Sequence, residues 1–442
     1  MQTSWNDLPG GPKDVVEWWT LATLSAKRRE SERFAWEIGV RFEALARAER
    51  TGDPAYTFAA RPWEAYVDVA PAKRLRFKVG NQIVAWGRLD VGSAADVLGV
   101  YDLRQGPVLD VDALRIPTPT ATATWFPVDA FQLDLAYTPF FTPHLFDVTG
   151  TNYALIGPDA PGAVTQLFSR LRQQLDPSSA ARITSDLASA NAPSARPDNG
   201  EAAARATWRA GPYDLGVTYG YVRSKLPAIV LSPSLVRFLA SPDLTSVSQV
   251  NQALNDGEHL ATARYDRYHQ LAIDLEGTAG PFTIAGEAGW SPSRTLLVRD
   301  ETSGLPAPAS SSVAQTGVKI SYAKDETFSW TAEGSVFAAG DAPPDVNGLT
   351  QNYYVLGARR RLFVAFTAAH KSFGKHELDG AFIATSSGPS LSYVGRYGYR
   401  VSEPLLLGAG AALFGGPRGD DGSLATLQRG LDQVFLFLSF RP

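Results

Sequence analysis

Along most of this chain, apolar residues recur at every second position. In Phe34-Ala35-Trp36-Glu37-Ile38-Gly39-Val40-Arg41-Phe42-Glu43, each even residue is apolar and each odd one is small or charged. Successive side chains of a β-strand point to opposite faces, so this period places one class on each face. The pattern returns many times. Leu75, Phe77 and Val79 alternate with Arg76 and Lys78, and Phe131, Leu133, Leu135 and Tyr137 with Gln132 and Asp134. Leu215, Val217, Tyr219 and Tyr221 repeat it, as do Leu271, Ile273 and Leu275 beside Asp274 and Glu276. Thr316, Val318, Ile320 and Tyr322, and then Phe328, Trp330 and Ala332, continue it. Few folds accept so many half-apolar strands.

A soluble antiparallel sandwich also alternates. Three features favour a transmembrane antiparallel β-barrel. Connections alternate between short ones (Pro71–Lys73, Phe126–Asp129, Gly211–Tyr213, Thr278–Pro281, Lys324–Glu326, Ser402–Pro404) and long ones of up to about 60 residues; short periplasmic turns and long extracellular loops are the habit of outer-membrane barrels. Many strands reach about 10 to 14 residues, longer than the 5 to 6 usual in globular sheets. Trp125, Tyr137, Tyr221, Tyr265, Trp290, Tyr322 and Tyr399 fall near strand ends, where interfacial girdles belong.

Charged residues make up only 19% of the chain, below the roughly 25% of soluble domains. Helical spans are nevertheless excluded. The apolar run Pro404–Pro417 stops well short of the roughly 18 to 20 residues a membrane helix needs. With 41 basic and 45 acidic residues the net charge is −4, which argues against nucleic acid as a partner. There is no cysteine, hence no disulfide framework. Met1 is the only methionine, and Met1-Gln2-Thr3-Ser4-Trp5 lacks the apolar core of a signal peptide, so the chain reads as a mature exported sequence.

Alternation and turns together predict sixteen strands, within a range of 14 to 18: 33–47, 62–70, 74–87, 114–125, 130–138, 202–210, 214–223, 264–277, 282–291, 313–323, 327–338, 352–369, 376–386, 389–401, 405–414 and 431–440. The barrel is thus expected over 33–442, with long loops near 88–113, 139–201 and 224–263. Residues 1–32 form a separate N-terminal periplasmic segment, a possible helix or plug, because Asp14 and Glu17 resemble a capping pair ahead of Val15, Trp18 and Trp19. Val164, Leu167, Phe168, Leu171 and Leu175 make a helical stripe within the second loop, and Asp176–Gly200 reads as flexible. The last strand, Asp432–Phe440, is so apolar that it needs a partner edge, which closure against the first strand supplies.

The stretch Leu75-Arg-Phe-Lys-Val-Gly80-Asn-Gln82-Ile-Val-Ala-Trp86-Gly87-Arg88-Leu-Asp90, with Glu64-Ala-Tyr66 before it and Asp102-Leu-Arg104 after it, resembles a proteobacterial barrel family known only as a domain of unknown function. Its mark is Gly-x-Gln-x-x-x-Trp-Gly. Ile116-Pro117, Asp134–Phe141 and Gly286-Glu287 are also similar, while Gly99-Val100-Tyr101-Asp102 replaces the Asn-Pro turn of that family. The resemblance implies a conduit in the style of alginate-export porins. It also implies an inner-membrane export pump as a partner, beside outer-membrane lipid, lipopolysaccharide and the barrel-assembly machinery.

The inward face assigned by alternation carries Arg76, Lys78, Arg205, Arg209, Lys319, Arg359, Arg361, Arg396 and Arg400 against Asp134, Asp274, Glu276, Glu287, Glu333, Glu377 and Asp379. A charged interior inside an apolar wall inverts a soluble core and requires water or a polar plug. Gln82 and Trp86 share that face, and Gly87 allows the chain to bend so that Arg88 and Asp90 enter the following loop. There they would set the field of a constriction, or simply seat the loop. These residues are the expected pore lining.

No Gly-x-Ser-x-Gly, His-Glu-x-x-His or P-loop occurs. His370 and His376 bracket a turn and Gly415–Gly422 lacks the spaced carboxylates of a calcium loop, so no metal, cofactor or enzymatic activity is expected. The expected function is an outer-membrane porin-like channel or export conduit. A gated carrier for hydrophobic or lipid-like molecules, and a non-conducting scaffold or adhesion barrel, stay open beside it.

Overall fold

The computed structural model describes residues 2–5, 15–49, 55–104, 114–146, 196–241, 243–299, 306–325, 327–340, 346–347, 361–385, 390–415 and 433–440. In chain order the strands are β1 (Gln2–Trp5), β2 (Val15–Ser31), β3 (Phe34–Glu49), β4 (Ala55–Ala72), β5 (Leu75–Gln82), β6 (Thr118–Val128), β7 (Phe131–Thr138), β8 (Glu201–Ala210), β9 (Tyr213–Arg223), β10 (Ala228–Leu231) and β11 (Ala261–Arg264). They continue as β12 (Arg267–Ala279), β13 (Phe282–Arg299), β14 (Pro306–Asp325), β15 (Phe328–Ala339), β16 (Val346–Asn347), β17 (Arg361–Phe373), β18 (His376–Thr385), β19 (Ser390–Ser402), β20 (Leu405–Gly415) and β21 (Gln433–Phe440). Two helices, α1 (Pro233–Ala240) and α2 (Leu244–Asn255), lie between β10 and β11.

Every wall strand pairs antiparallel with its sequence neighbour, β9 joining directly to β12 and β15 to β17. β21 runs alongside β1, which brings the two ends of the sheet together. Eighteen described strands therefore circle one wall, while β10 and β11 form a separate pair and β16 adds only to the outer extension of β13. The barrel is confirmed, at the upper end of the expected strand number.

The extra wall strands come from the N-terminal segment. No helix or plug forms in its described part: Val15–Ser31 is β2, hydrogen-bonded along its whole length to β3, and Gln2–Trp5 pairs with Val16–Trp19. Apolar Ala22, Leu24 and Ala26 alternate with Thr23, Ser25 and Lys27, which is a strand period. Strands also outrun their expected ends on the loop side. β13 passes a bulge at Ser291/Arg294 to reach Arg299, and β14 starts at Pro306. β5 stops early, at Gln82 rather than 87. The helical stripe at 164–175 and the flexible stretch 176–195 lie outside the described residues.

The two faces of the wall differ as alternation demands. On β12, Leu271, Ile273 and Leu275 are about half exposed while Gln270, Ala272 and Asp274 are buried. The same outward belt includes Leu24, Ile38, Val79, Leu135, Val217, Ile284, Val318, Phe382 and Leu436. Aromatic residues mark its rims. Near the short turns Phe282, Tyr322 and Phe328 follow one another at 5.0 and 6.1 Å between ring centroids, and Trp125, Trp208 and Tyr399 are exposed there. Tyr265 is the exception among the expected girdle residues. It is 4% exposed, packs against Phe141 in the loops, and burial pushes its phenol up to about 12.

An apolar belt around an antiparallel sheet whose first and last strands lie side by side is what lipid requires of a membrane-spanning wall. The chain folds as a transmembrane antiparallel β-barrel. Replacing Ile273, mid-strand on the outward face, by Arg is expected to destabilise the folded barrel by about 2–4 kcal/mol, the cost of a cation at the bilayer midplane. Urea titration of the protein in lipid vesicles, followed by its heat-modifiable band, measures that loss; an unchanged midpoint would place Ile273 away from lipid.

Candidate functional site

The connection between β5 and β6 does not extend outward. Its described residues turn into the barrel and are largely buried: Leu89, Val91, Ser93, Ala94, Ala95, Asp96, Val97, Val100 and Tyr101 are each 2% exposed or less. The Gly-x-Gln-x-x-x-Trp-Gly stretch launches this turn. Gly80 has φ +138°, and a Cβ there would come within 2.6 Å of the Tyr66 Cα, so this position near the end of β5 is open only to glycine. The Gln82 amide donates to the carbonyls of Lys78 (3.1 Å) and Thr120 (2.7 Å), tying the strand end to β6. Trp86 then packs with Val84 against Val97, Leu98, Ala136, Ala203, Val222 and Tyr268.

Inward-facing charges of the opposite wall receive the loop. The buried carboxylate of Glu287 on β13 accepts the N–H groups of Arg88, Leu89 (2.9 Å), Ala94 (2.8 Å) and Ala95 (3.1 Å) and the Ser93 hydroxyl (2.8 Å). Glu333 on β15 accepts those of Asp90 (2.7 Å) and Val91 (2.9 Å). The Arg88 guanidinium meets Asp274 at 3.1 Å, Glu276 at 3.2 Å and Asp214 at 3.9 Å. Arg205 on β8 donates to Asp274 (2.7 Å) and to the Trp86 carbonyl, and Lys319 on β14 meets Asp90 at 3.0 Å.

Farther along, Asp96 accepts from Tyr101 and Arg115, the latter at 2.6 Å. The Tyr101 N–H donates to Nδ1 of the buried His144. Arg104 then reaches Glu43 on β3 at 3.0 Å while pairing with Asp102 at 2.6 Å. Around the eighteen-strand wall β3 is third, and β13 to β15 are eleventh to thirteenth. The loop is therefore fastened to both sides of the lumen and crosses it near a diameter. On the β13–β18 side an apolar core of Val91, Tyr101, Leu114, Leu296, Val313, Phe337, Val364 and Phe366 fills the space around it.

The lumen keeps a cavity of about 360 Å³ on the other side, in the half toward the short turns. Lys27, Arg29, Tyr66, Asp68, Arg76, Lys78, Thr122 and Thr124 line it. Arg76 and Lys78 were expected on this face. Lys27 and Arg29 were not, because residues 1–32 were expected to stand apart, nor were the neighbouring Glu37, Tyr66 and Asp68, although their alternation with Ile38, Val67 and Val69 marks them as inward.

The remaining expected residues are scattered. Asp134 accepts from Thr124 (2.6 Å) and Gln132 (2.7 Å). Arg209 is exposed near the rim and pairs with Asp214 at 3.2 Å. Arg396 and His370 share Asp379, at 2.7 and 2.6 Å, and Arg400 pairs with Glu377. Arg361 belongs to β17 but its side chain is not described, and Arg359 lies outside the described residues. His376 bonds Tyr397 at 2.6 Å on the outward face, so the wall separates it from His370. Among the described residues no group of three or more His, Asp or Glu could hold a metal ion.

Comparison with solved structures finds OccK7 (OpdD) of Pseudomonas aeruginosa at 10% identity and TM-score 0.46, covering 96% of this chain and 92% of that one. OccAB3 of Acinetobacter baumannii matches at 7% identity and TM-score 0.47, covering 99% and 95%. OccK2 (OpdF) of P. aeruginosa, in complex with glucuronate, matches at 10% and 0.45, covering 97% and 93%. No curated protein matches. The family described as protein of unknown function (DUF1302) matches residues 37–406, and the chain belongs to that family.

Proposed function

We propose that the protein is a channel of the outer membrane that passes small hydrophilic solutes through a lumen narrowed by the β5–β6 loop, with no covalent chemistry. The observation that carries this reading is the fastening of that loop to opposite walls, by Glu287 and Glu333 on one side and Glu43 on the other. A loop held at both ends divides the lumen without needing to move, and the cavity beside it remains open to water. Asp90, Lys319 and Arg88 stand at the loop's edge, where they would shape the local field, although each is matched by an opposite charge.

Single-channel recording of the refolded protein in a planar bilayer tests this. The expected result is steady conductance steps with weak ion selectivity, because the inward charges are nearly balanced. Silence from folded, heat-modifiable protein would end the open-channel reading. It would leave a gated carrier or a scaffold, the former being favoured by the apolar core that fills one side of the lumen. The role of export conduit for an inner-membrane pump is a further proposal. It predicts co-purification with such a pump after cross-linking.

A further inference from the structure

The cavity between β2 and β6 holds two cations, Lys78 and Arg29, that no carboxylate meets directly among the described residues. Asp68 is engaged by Arg76, whose Nε donates at 2.6 Å. Glu37 is shared by Lys27 at 3.3 Å and the Tyr66 hydroxyl at 2.7 Å. Glu64 acts on Lys78 only from beyond ion-pair distance. The Lys78 ammonium lies over the Tyr66 ring, 3.6 Å from its centroid, with no carboxylate within 4 Å among the described residues. Arg29, exposed to the lumen, makes no ion pair with any described residue. A ring face satisfies only one side of an ammonium, and an anion entering the cavity would give Lys78 and Arg29 the direct partner that no wall carboxylate supplies.

We propose that this cavity is a binding subsite for small organic carboxylates, held by Lys78 and Arg29. At about 360 Å³ it falls in the range of pockets that enclose a small organic molecule, far more room than an inorganic ion needs. Tyr66, Ala35 and the methyl groups of Thr122 and Thr124 give the body of such a molecule apolar contact beside the cations. The strand register puts the subsite on the periplasmic side of the crossing loop, where a solute leaving the narrow passage would meet it. The inference rests on the channel reading in one respect, a lumen open to water and so to the anion, and does not require conduction.

Equilibrium dialysis of the full detergent-solubilised chain against labelled benzoate, with inorganic phosphate as the second probe, reads binding without requiring conductance. Saturable benzoate binding is expected, weakened about tenfold by Lys78→Gln or by Arg29→Gln, the scale of one charge-assisted hydrogen bond, and abolished by both together. Unchanged binding in the double variant, with its heat-modifiable fold intact, would overturn the subsite. Phosphate binding without benzoate binding would overturn the carboxylate assignment. The same protein in a bilayer separates the two readings. Conductance without benzoate binding sinks the subsite and leaves the channel, whereas benzoate binding by a silent barrel sinks the channel and leaves the subsite.

Discussion

Replacing Glu287 by alanine should open the lumen while leaving the barrel wall intact. One buried carboxylate receives four backbone N–H groups and a hydroxyl from the crossing loop. Removing it orphans donors that water cannot reach in the packed state, at about 1–3 kcal/mol each. Together these exceed what neighbouring contacts can absorb, so the loop should leave its seat to find water. Glu287 contributes only its backbone to the sheet ladder, and the wall should survive. Single-channel conductance is expected to rise roughly twofold or more as the constriction is lost, with residues 88–95 becoming accessible to protease. Glu287→Gln, which keeps one acceptor oxygen, should fall between the two. Unchanged conductance with continued protease protection would show that the rest of the loop's contacts suffice.

The second large effect comes from Gly317 on β14, which faces the loop from below. A Cβ built there lies 2.6 Å from Leu89 Cδ1 and 3.0 Å from the Gly334 carbonyl. Leu89 is 2% exposed and has nowhere to retreat. Gly317→Val is therefore expected to cost about 1–3 kcal/mol of overpacking, released by displacing Leu89 and breaking the Arg88 and Leu89 N–H bonds to Glu287, while those from the Ser93 hydroxyl and the Ala94 and Ala95 N–H groups remain. Conductance should again rise. The diagnostic is the double variant: Leu89→Ala together with Gly317→Val should recover much of the original conductance, because the two changes share one volume. Additive effects would mean that the valine acts on the strand and not through the loop.

These effects show which parts of the protein were legible in one dimension. Leu271, Ile273 and Leu275 could be assigned to lipid and Asp274 to the interior because side-chain direction reverses at each strand residue, a rule needing no knowledge of neighbours. The same rule named Asp274, Glu276, Glu287, Lys319 and Glu333 as inward. It could not say what they meet inside. β2 was overlooked because Val15-Val16 and Trp18-Trp19 place apolar residues side by side and interrupt the alternation that Ala22, Leu24 and Ala26 restore. α1 and α2 were not anticipated either. They stand in a long loop, capped by Ser232 and by a reciprocal Asp243–Ser246 pair, signals short enough to be lost among turn residues.

What alternation, turn length and low charge determined by themselves is a closed antiparallel wall with apolar residues outward, since a run of such strands cannot otherwise hide both its edges and its belt. Where the β5–β6 loop goes was decided only in three dimensions. Leu89 and Glu287 are 198 positions apart, and no local preference links them. A loop N–H accepts any carboxylate that closure of the sheet brings within reach. That closure, joining β21 to β1 and setting β3 opposite β13, is what makes ordinary inward charges into the seat of a constriction.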